Sequence, residues 1–88
     1  MTAELYPDTL NTFHKPVIDL KASGEKIKQL RLLKKMSVRD LQIMLGFEYP
    51  QAIYLWESGK NLPSIDNLFA LSQIFKTEIS DIIVLQKN

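Results

Sequence analysis

Two glycines, Gly46 and Gly59, follow two short segments in the middle of the chain whose apolar residues recur at the spacing of an α-helix. Glycine commonly ends helices because it adopts a left-handed backbone without steric cost. The residues expected to face inward from these segments are Leu41, Met44, Leu45, Ile53 and Trp56. The pattern predicts two short helices joined by a turn at residues 47–49, with Pro50 at the first position of the second helix.

Hydroxyl-bearing residues mark further helix starts. Ser23 and Ser64 each precede a helical pattern and suit an N-cap, and Ser37 followed by Asp40 resembles a capping box. Other residues expected to face inward are Ile27, Leu30, Leu32 or Leu33, Met36, Ile65, Leu68, Leu71, Ser72, Phe75, Ile79, Ile82 and Ile83. No segment alternates with period two for long enough to be a strand, so the sequence predicts an all-α domain of five short helices.

The first 22 residues differ from the rest, because Pro7 and Pro16 interrupt them and no helical period is sustained. This segment is predicted to be an N-terminal arm, either disordered or extended. Four apolar residues could lay it against the body: Tyr6, Phe13, Val17 and Ile18. The predicted organisation is therefore an arm at 1–22, a helical domain at 23–85 and a C-terminal tail at 86–88.

Composition argues against several classes of protein. The chain has no cysteine and a single histidine, His14, and it contains neither a glycine-rich phosphate loop nor a metal-ligand cluster, so we expect no enzyme, no cofactor and no metal site. It has no apolar run of 18 residues and no secretory signal at its start, and we expect a cytoplasmic protein without a membrane partner. Net charge is only +1, but residues 23–62 hold seven basic against four acidic side chains. This excess lies where a polyanion would dock.

Residues 23–83 resemble the Cro and phage-repressor type of helix-turn-helix regulator, the XRE family. The matching stretches are IKQLR at 27–31, SVRDL at 37–41, LG at 45–46, AIYLWESGK at 52–60, LPSIDNL at 62–68 and LSQIFK at 71–76. The resemblance implies a lambda-repressor-like fold and a sequence-specific, DNA-binding transcriptional regulator. In such a protein a recognition helix, here at about residues 50–58, enters the major groove of double-stranded DNA.

The resemblance also implies which side chains touch DNA. Base contacts would come from Gln51, Leu55 and Tyr54, since a glutamine can hydrogen-bond N6 and N7 of adenine and a leucine can touch a thymine methyl group. Phosphate contacts, by side chains or backbone N–H groups, would come from Ser37, Arg39, Ser58, Lys60 and Asn61. From the residues alone, Gln51 could equally be a solvated glutamine, Leu55 a core residue and Tyr54 the filling of a surface groove.

One further pair is implied by the resemblance: Arg31 late in the first helix and Glu57 at the end of the third are expected to form a structural ion pair. Read from the residues alone, they could be unrelated surface charges. The sequence also departs from the family pattern. The turn before the recognition helix is one residue longer, Gln42 occupies the place of a small residue, and Val38 replaces a polar one. Lysines stand where glycine is common, at Lys35 and Lys76.

A single such domain contacts few bases, so a homodimer is expected, with residues 77–88 or the arm as the contact. The alternative function is an antitoxin or protein-interaction module on the same fold. Its arm, or the apolar residues 82–85 near the C-terminus, would bind a partner protein. Eighty-eight residues leave little room for a ligand-sensing domain, and no small-molecule effector is expected.

Overall fold

A computed structural model describes residues 13–87, and Tyr6 with the rest of the arm up to residue 12 lies outside them. Four α-helices follow in order, α1 (Leu20–Leu33), α2 (Val38–Leu45), α3 (Gln51–Glu57) and α4 (Ile65–Phe75), and a 3₁₀ helix covers Ile79–Asp81. The all-α class is confirmed for this part of the chain, where the single β interaction is a bridge between Ile18 and Leu85. None of these helices is long and apolar enough to cross a bilayer.

The predicted fifth helix is only one 3₁₀ turn. Backbone hydrogen bonds link Asp19 N–H to Val84 O (2.7 Å) and Gln86 N–H to Val17 O (2.8 Å). Because residues 84–86 are extended to make these bonds, the chain cannot continue as a helix after Ile82. We call the paired segments 17–19 and 84–86 the brace.

Eight apolar side chains form the core, seven from the four α-helices and one, Ile82, directly after the 3₁₀ helix: Ile27, Leu41, Ile53, Trp56, Leu68, Leu71, Phe75 and Ile82. All eight are among the residues predicted to face inward, and burying one such side chain fully contributes about 1.5–3 kcal/mol. Leu30, Met36, Leu45, Ile79 and Ile83 pack against this core and are partly buried.

The predicted inward positions of Met44 and Ile65 are wrong, since these side chains are 57% and 65% exposed. Leu32 and Leu33 are also exposed. In α2 the buried face is centred on Leu41 and Leu45, and Met44 lies about 100° around the helix from Leu45. When the apolar residues of a helix cover a wider face than the core contacts, the sequence pattern does not show which edge of that face is buried.

Helix α1 begins at Leu20, four residues earlier than predicted. Its N-cap is Asp19, whose carboxylate accepts a hydrogen bond from Ala22 N–H at 2.9 Å. The assignment of Ser23 as the cap is wrong, because Ser23 lies inside the helix and is buried. Its hydroxyl instead accepts from Val84 N–H at 2.8 Å and donates to Val84 O at 3.4 Å. Ser23 thus joins α1 to the brace.

The other predicted caps are confirmed. In α2, Asp40 N–H donates to Ser37 Oγ (3.0 Å) and Ser37 N–H donates to Asp40 Oδ2 (2.8 Å). Ser64 caps α4 by accepting from Asn67 N–H at 3.2 Å. The backbone and then the hydroxyl of Ser37 lower the pKa of Asp40 below its ordinary value. This capping contribution is therefore present above the ordinary pKa and is lost as pH falls through the lowered one.

A residue with a left-handed backbone follows the end of each α-helix, and two of these four residues are lysines. Gly46 ends α2 with φ 71°, as predicted, and the two lysines, Lys35 and Lys76, have φ values of 57° and 55°. A side chain in this conformation costs about 1–2 kcal/mol, because Cβ crowds the following carbonyl group. Both lysines therefore carry local backbone strain.

Replacing Lys35 with glycine should stabilise the protein. Relief of the left-handed strain, about 1–2 kcal/mol, exceeds the extra unfolded-state entropy of glycine, about 0.5–1 kcal/mol. The unfolding free energy, measured by urea titration, should rise by roughly 0.5–1 kcal/mol, the difference of the two.

The neighbouring lysine supplies the matched control. Lys34 has φ −85°, so Lys34→Gly relieves no strain and should lower the unfolding free energy by about 0.5–1 kcal/mol. Destabilisation of equal size in both variants would contradict the assignment of strain to Lys35.

Candidate nucleic-acid interface

Helix α3 has one buried face and one exposed face. Ile53 and Trp56 are 0% and 4% exposed and pack in the core. On the opposite side Gln51, Tyr54 and Leu55 are exposed. Helix α3 begins at Gln51, one residue later than predicted, because Pro50 serves as its N-cap. The helix thus presents its outer side chains while its inner ones fix it to the body.

Two glycines allow α1 to approach the end of α3 closely. A Cβ atom on Gly24 would collide with the carbonyl oxygen of Trp56, and a Cβ on Gly59 would lie 2.7 Å from the Cα of Lys21. Gly59 also has a left-handed backbone, with φ 79°. Gly24 was not among the residues predicted from the sequence. The available signal was a glycine inside a helical pattern, which costs about 1 kcal/mol relative to alanine and so indicates a packing requirement.

Arg31 and Glu57 form a buried, two-pronged ion pair between α1 and α3. Arg31 Nε donates to Glu57 Oε2 at 2.8 Å and Nη2 donates to Oε1 at 3.0 Å, with the two side chains 8% and 9% exposed. Nη1 donates to the carbonyl oxygen of Met36 at 2.9 Å. The hydrogen bond to Glu57 raises the pKa of Arg31, although burial acts in the opposite direction. The guanidinium group therefore holds α1, the turn after it and α3 together.

The long turn between α2 and α3 is fixed by Gln42. Its amide Nε2 donates to the carbonyl oxygens of Phe47 (3.3 Å) and Glu48 (3.1 Å), and its backbone oxygen accepts from Phe47 N–H at 3.0 Å. The ring of Phe47 packs edge-on against Trp56, with ring centroids 5.8 Å apart. The unusual glutamine and the additional turn residue thus satisfy each other's hydrogen-bonding groups.

Five of the predicted DNA-contacting residues line one open groove of about 460 Å³ along the outer side of α3: Gln51, Tyr54, Leu55, Ser58 and Lys60. Leu55 is 36% exposed and Tyr54 56% exposed, so neither is part of the core. Three other predicted residues are also exposed: Ser37, which caps α2, Arg39 in the first turn of α2, and Asn61 after α3. Within residues 13–87 no cluster of three or more histidine or carboxylate side chains could hold a metal ion.

Part of the predicted phosphate contact set is engaged inside the protein. The backbone N–H groups of Lys60 and Asn61 both donate to Leu55 O, at 2.9 and 3.2 Å. The Ser58 hydroxyl donates to the same oxygen at 3.2 Å. Because these two N–H groups close the end of α3, the phosphate contacts predicted for Lys60 and Asn61 would come from their side chains. Their side chains remain exposed.

Comparison with known families agrees with this geometry. A helix-turn-helix family model matches residues 27–82, more than half of the chain. The chain belongs to the XRE-type helix-turn-helix family. The match includes the whole motif, which in this helix-turn-helix protein runs from α2 through the turn to α3. A search of curated protein sequences gave no match.

Solved structures share the helix-turn-helix fold. The restriction-modification controller protein C.AhdI from Aeromonas hydrophila superposes with a TM-score of 0.65 at 23% identity, over 73% of this chain and 96% of that one. The DNA-binding domain of BldD gives a TM-score of 0.64 at 13% identity, over 75% and 94%. Apo-HppE gives 0.67 at 22% identity, but only 36% of that chain is covered. At these identities the likeness concerns the fold.

Removing Glu57 should destabilise the protein strongly. Glu57→Ala leaves the buried guanidinium of Arg31 without its carboxylate, and breaking one side of a buried pair costs about 3–5 kcal/mol. Urea-induced unfolding followed by circular dichroism measures this loss.

Two further variants test whether the unpaired charge of Arg31 causes the destabilisation of Glu57→Ala. Glu25→Ala removes an exposed carboxylate of α1 and should change stability by no more than about 0.5 kcal/mol. The double variant Arg31→Met/Glu57→Leu replaces both charges and should recover most of the loss. A cost below about 1 kcal/mol for Glu57→Ala, typical of an exposed pair, would refute the structural role.

Proposed function

We propose that this helix-turn-helix protein is a sequence-specific, DNA-binding transcriptional regulator whose α3 enters the major groove. The observation that carries the proposal is the division of α3 into a buried face, with Ile53 and Trp56, and an exposed face that contains Gln51. The major groove is about 12 Å wide and admits a helix of this kind. The fold likeness to a restriction-modification controller and to the DNA-binding domain of BldD supports the same conclusion.

Base recognition is assigned to the outer side of α3. The amide of Gln51 offers both a donor and an acceptor, the combination that pairs with N7 and N6 of adenine. Leu55 presents an apolar surface suited to a thymine methyl group, and Tyr54 presents a ring and a hydroxyl further along the same groove. The DNA sequence is thus read by side chains of α3, and α3 itself is fixed by its packing in the core and by the ion pair with Arg31.

Phosphate contacts are assigned to two segments, the start of α2 and the loop that follows α3. Ser37 and Arg39 at the start of α2 are exposed, and so are the side chains of Lys60 and Asn61 after α3. A hydroxyl that accepts one hydrogen bond, as Ser37 does from Asp40, still has its own proton to donate to a phosphate oxygen. Contacts of this kind set the register of a protein on DNA without selecting the sequence.

Selection of bound genomic fragments with the purified protein would give the operator and allow a direct test of Gln51. Gln51→Ala should lose about 1–3 kcal/mol of discrimination for the adenine it contacts, measured by fluorescence anisotropy on wild-type and substituted operators. Gln73→Ala, at an exposed glutamine of α4 that lines a different groove, should bind as the native protein does.

Binding by Gln51→Ala with unchanged affinity and base preference would remove Gln51 as a base reader.

The salt dependence of binding separates a DNA-binding regulator from the alternative function, a protein-interaction module. Phosphate contacts predict that affinity falls steeply with salt concentration. A salt-insensitive complex with a partner protein, without DNA binding, would instead favour the antitoxin or interaction module.

We further propose that the protein acts as a homodimer formed through the brace. Three apolar side chains of the brace are exposed, Val17 (53%), Ile18 (37%) and Leu85 (50%), and Phe13 shortly before it is 67% exposed. A two-fold dimer would place two α3 helices on half-sites about one helical turn of DNA apart. The same surface is the candidate contact for a partner protein.

Sedimentation velocity should show a dimer for the native chain and a monomer for Leu85→Lys. The charged side chain would be buried in the interface, while the backbone bridge to Ile18 can persist. Leu33→Lys, at an exposed leucine in the last turn of α1, is the matched control and should remain dimeric. A native protein that is monomeric both free and on DNA would contradict this assembly.

A further inference from the structure

The turn before α3 lines a second groove, and of its lining residues the contacts proposed above use only Gln51. It is a shallow, open depression of about 520 Å³, lined by Gly46, Phe47, Glu48, Tyr49, Gln51 and Ala52. Gln51 lines this groove and also the groove along α3. The two surfaces are therefore continuous, with Gln51 between them. We call the first one the turn groove.

The turn groove is held in a fixed shape. The Phe47 ring packs against Trp56, which is itself buried, and the carbonyl groups of Phe47 and Glu48 accept hydrogen bonds from the Gln42 amide. Tyr49 follows these anchored residues and is 63% exposed. A large aromatic side chain is thus presented by a rigid turn directly beside Gln51.

The chemistry of the lining selects an apolar ligand. Phe47, Tyr49 and Ala52 provide carbon surface, and Glu48 is the one charged residue among the lining residues. A carboxylate at this place repels a phosphate group, so the groove is unsuited to the DNA backbone. On the major-groove edges of the bases, the apolar substituent is the 5-methyl group of thymine.

We propose that the turn groove receives the 5-methyl group of a thymine in the operator, adjacent to the base contacted by Gln51. Tyr49 is then a specificity-determining residue, and Gln42 is a positioning residue that acts through the turn. This inference rests on the proposed function, since it requires α3 to lie in the major groove.

Replacing thymine by uracil in the selected operator tests the proposal, because it removes one methyl group and leaves base pairing intact. In each half-site one thymine should respond to this substitution. Replacing that single thymine should lower the affinity about fourfold, which corresponds to the loss of one buried methyl group. In Tyr49→Ala, binding should already be weaker and this uracil substitution should have no further effect. Tyr49→Phe keeps the ring and should behave as the native protein does. Leu55→Ala should retain the response at this thymine.

Gln42→Ala tests the positioning role. In this variant the affinity loss caused by replacing the same thymine with uracil should become smaller, while the Gln51-dependent preference for adenine is kept. General destabilisation would instead weaken the thymine and the adenine preference together. A loss in Tyr49→Phe as large as in Tyr49→Ala would indicate a hydroxyl contact and overturn the inference. An unchanged uracil response in Tyr49→Ala would also overturn it. These outcomes leave DNA binding intact, whereas failure of the native protein to bind any selected DNA would refute the proposed function itself.

Discussion

The structure depends on one buried interaction, the ion pair between Arg31 and Glu57. Helix α3 has only seven residues, and a helix of this length is unstable in water by itself. Its position must therefore come from tertiary contacts. The guanidinium group supplies two bonds to Glu57 and one to Met36 O, so its charge is both paired and hydrogen-bonded. A buried pair of this kind contributes orientation more than net stability.

Close backbone approach provides the second constraint on α3. Gly24 and Gly59 let α1 meet the end of α3 without an intervening side chain, while Ile53 and Trp56 fill the core below. These contacts all lie on the inner side of α3. Its outer side is consequently left to Gln51, Tyr54 and Leu55, and the same packing that stabilises the fold creates the surface proposed to read DNA.

The turn before α3 shows how a departure from a family pattern can be accommodated. A longer turn exposes additional carbonyl groups, and Gln42 supplies the amide that satisfies two of them. A small residue at this position could not do so. The accommodation also places Tyr49 beside Gln51 in one groove and extends the apolar surface beyond α3, which is the basis of the recognition proposed for this turn.

The sequence by itself determined the features that depend on near neighbours: the capping box at Ser37 and Asp40, the cap at Ser64 and the helix end at Gly46. Family resemblance added the pairing of Arg31 with Glu57, across 26 residues. Only the tertiary structure decided that Ser23 bonds to Val84, 61 residues away, and that Met44 is exposed. Caps are made within one helical turn, so their signals are local. The hydrogen bond of the Ser23 hydroxyl and the exposure of Met44 depend instead on residues that are distant in the sequence and come close only in the folded chain.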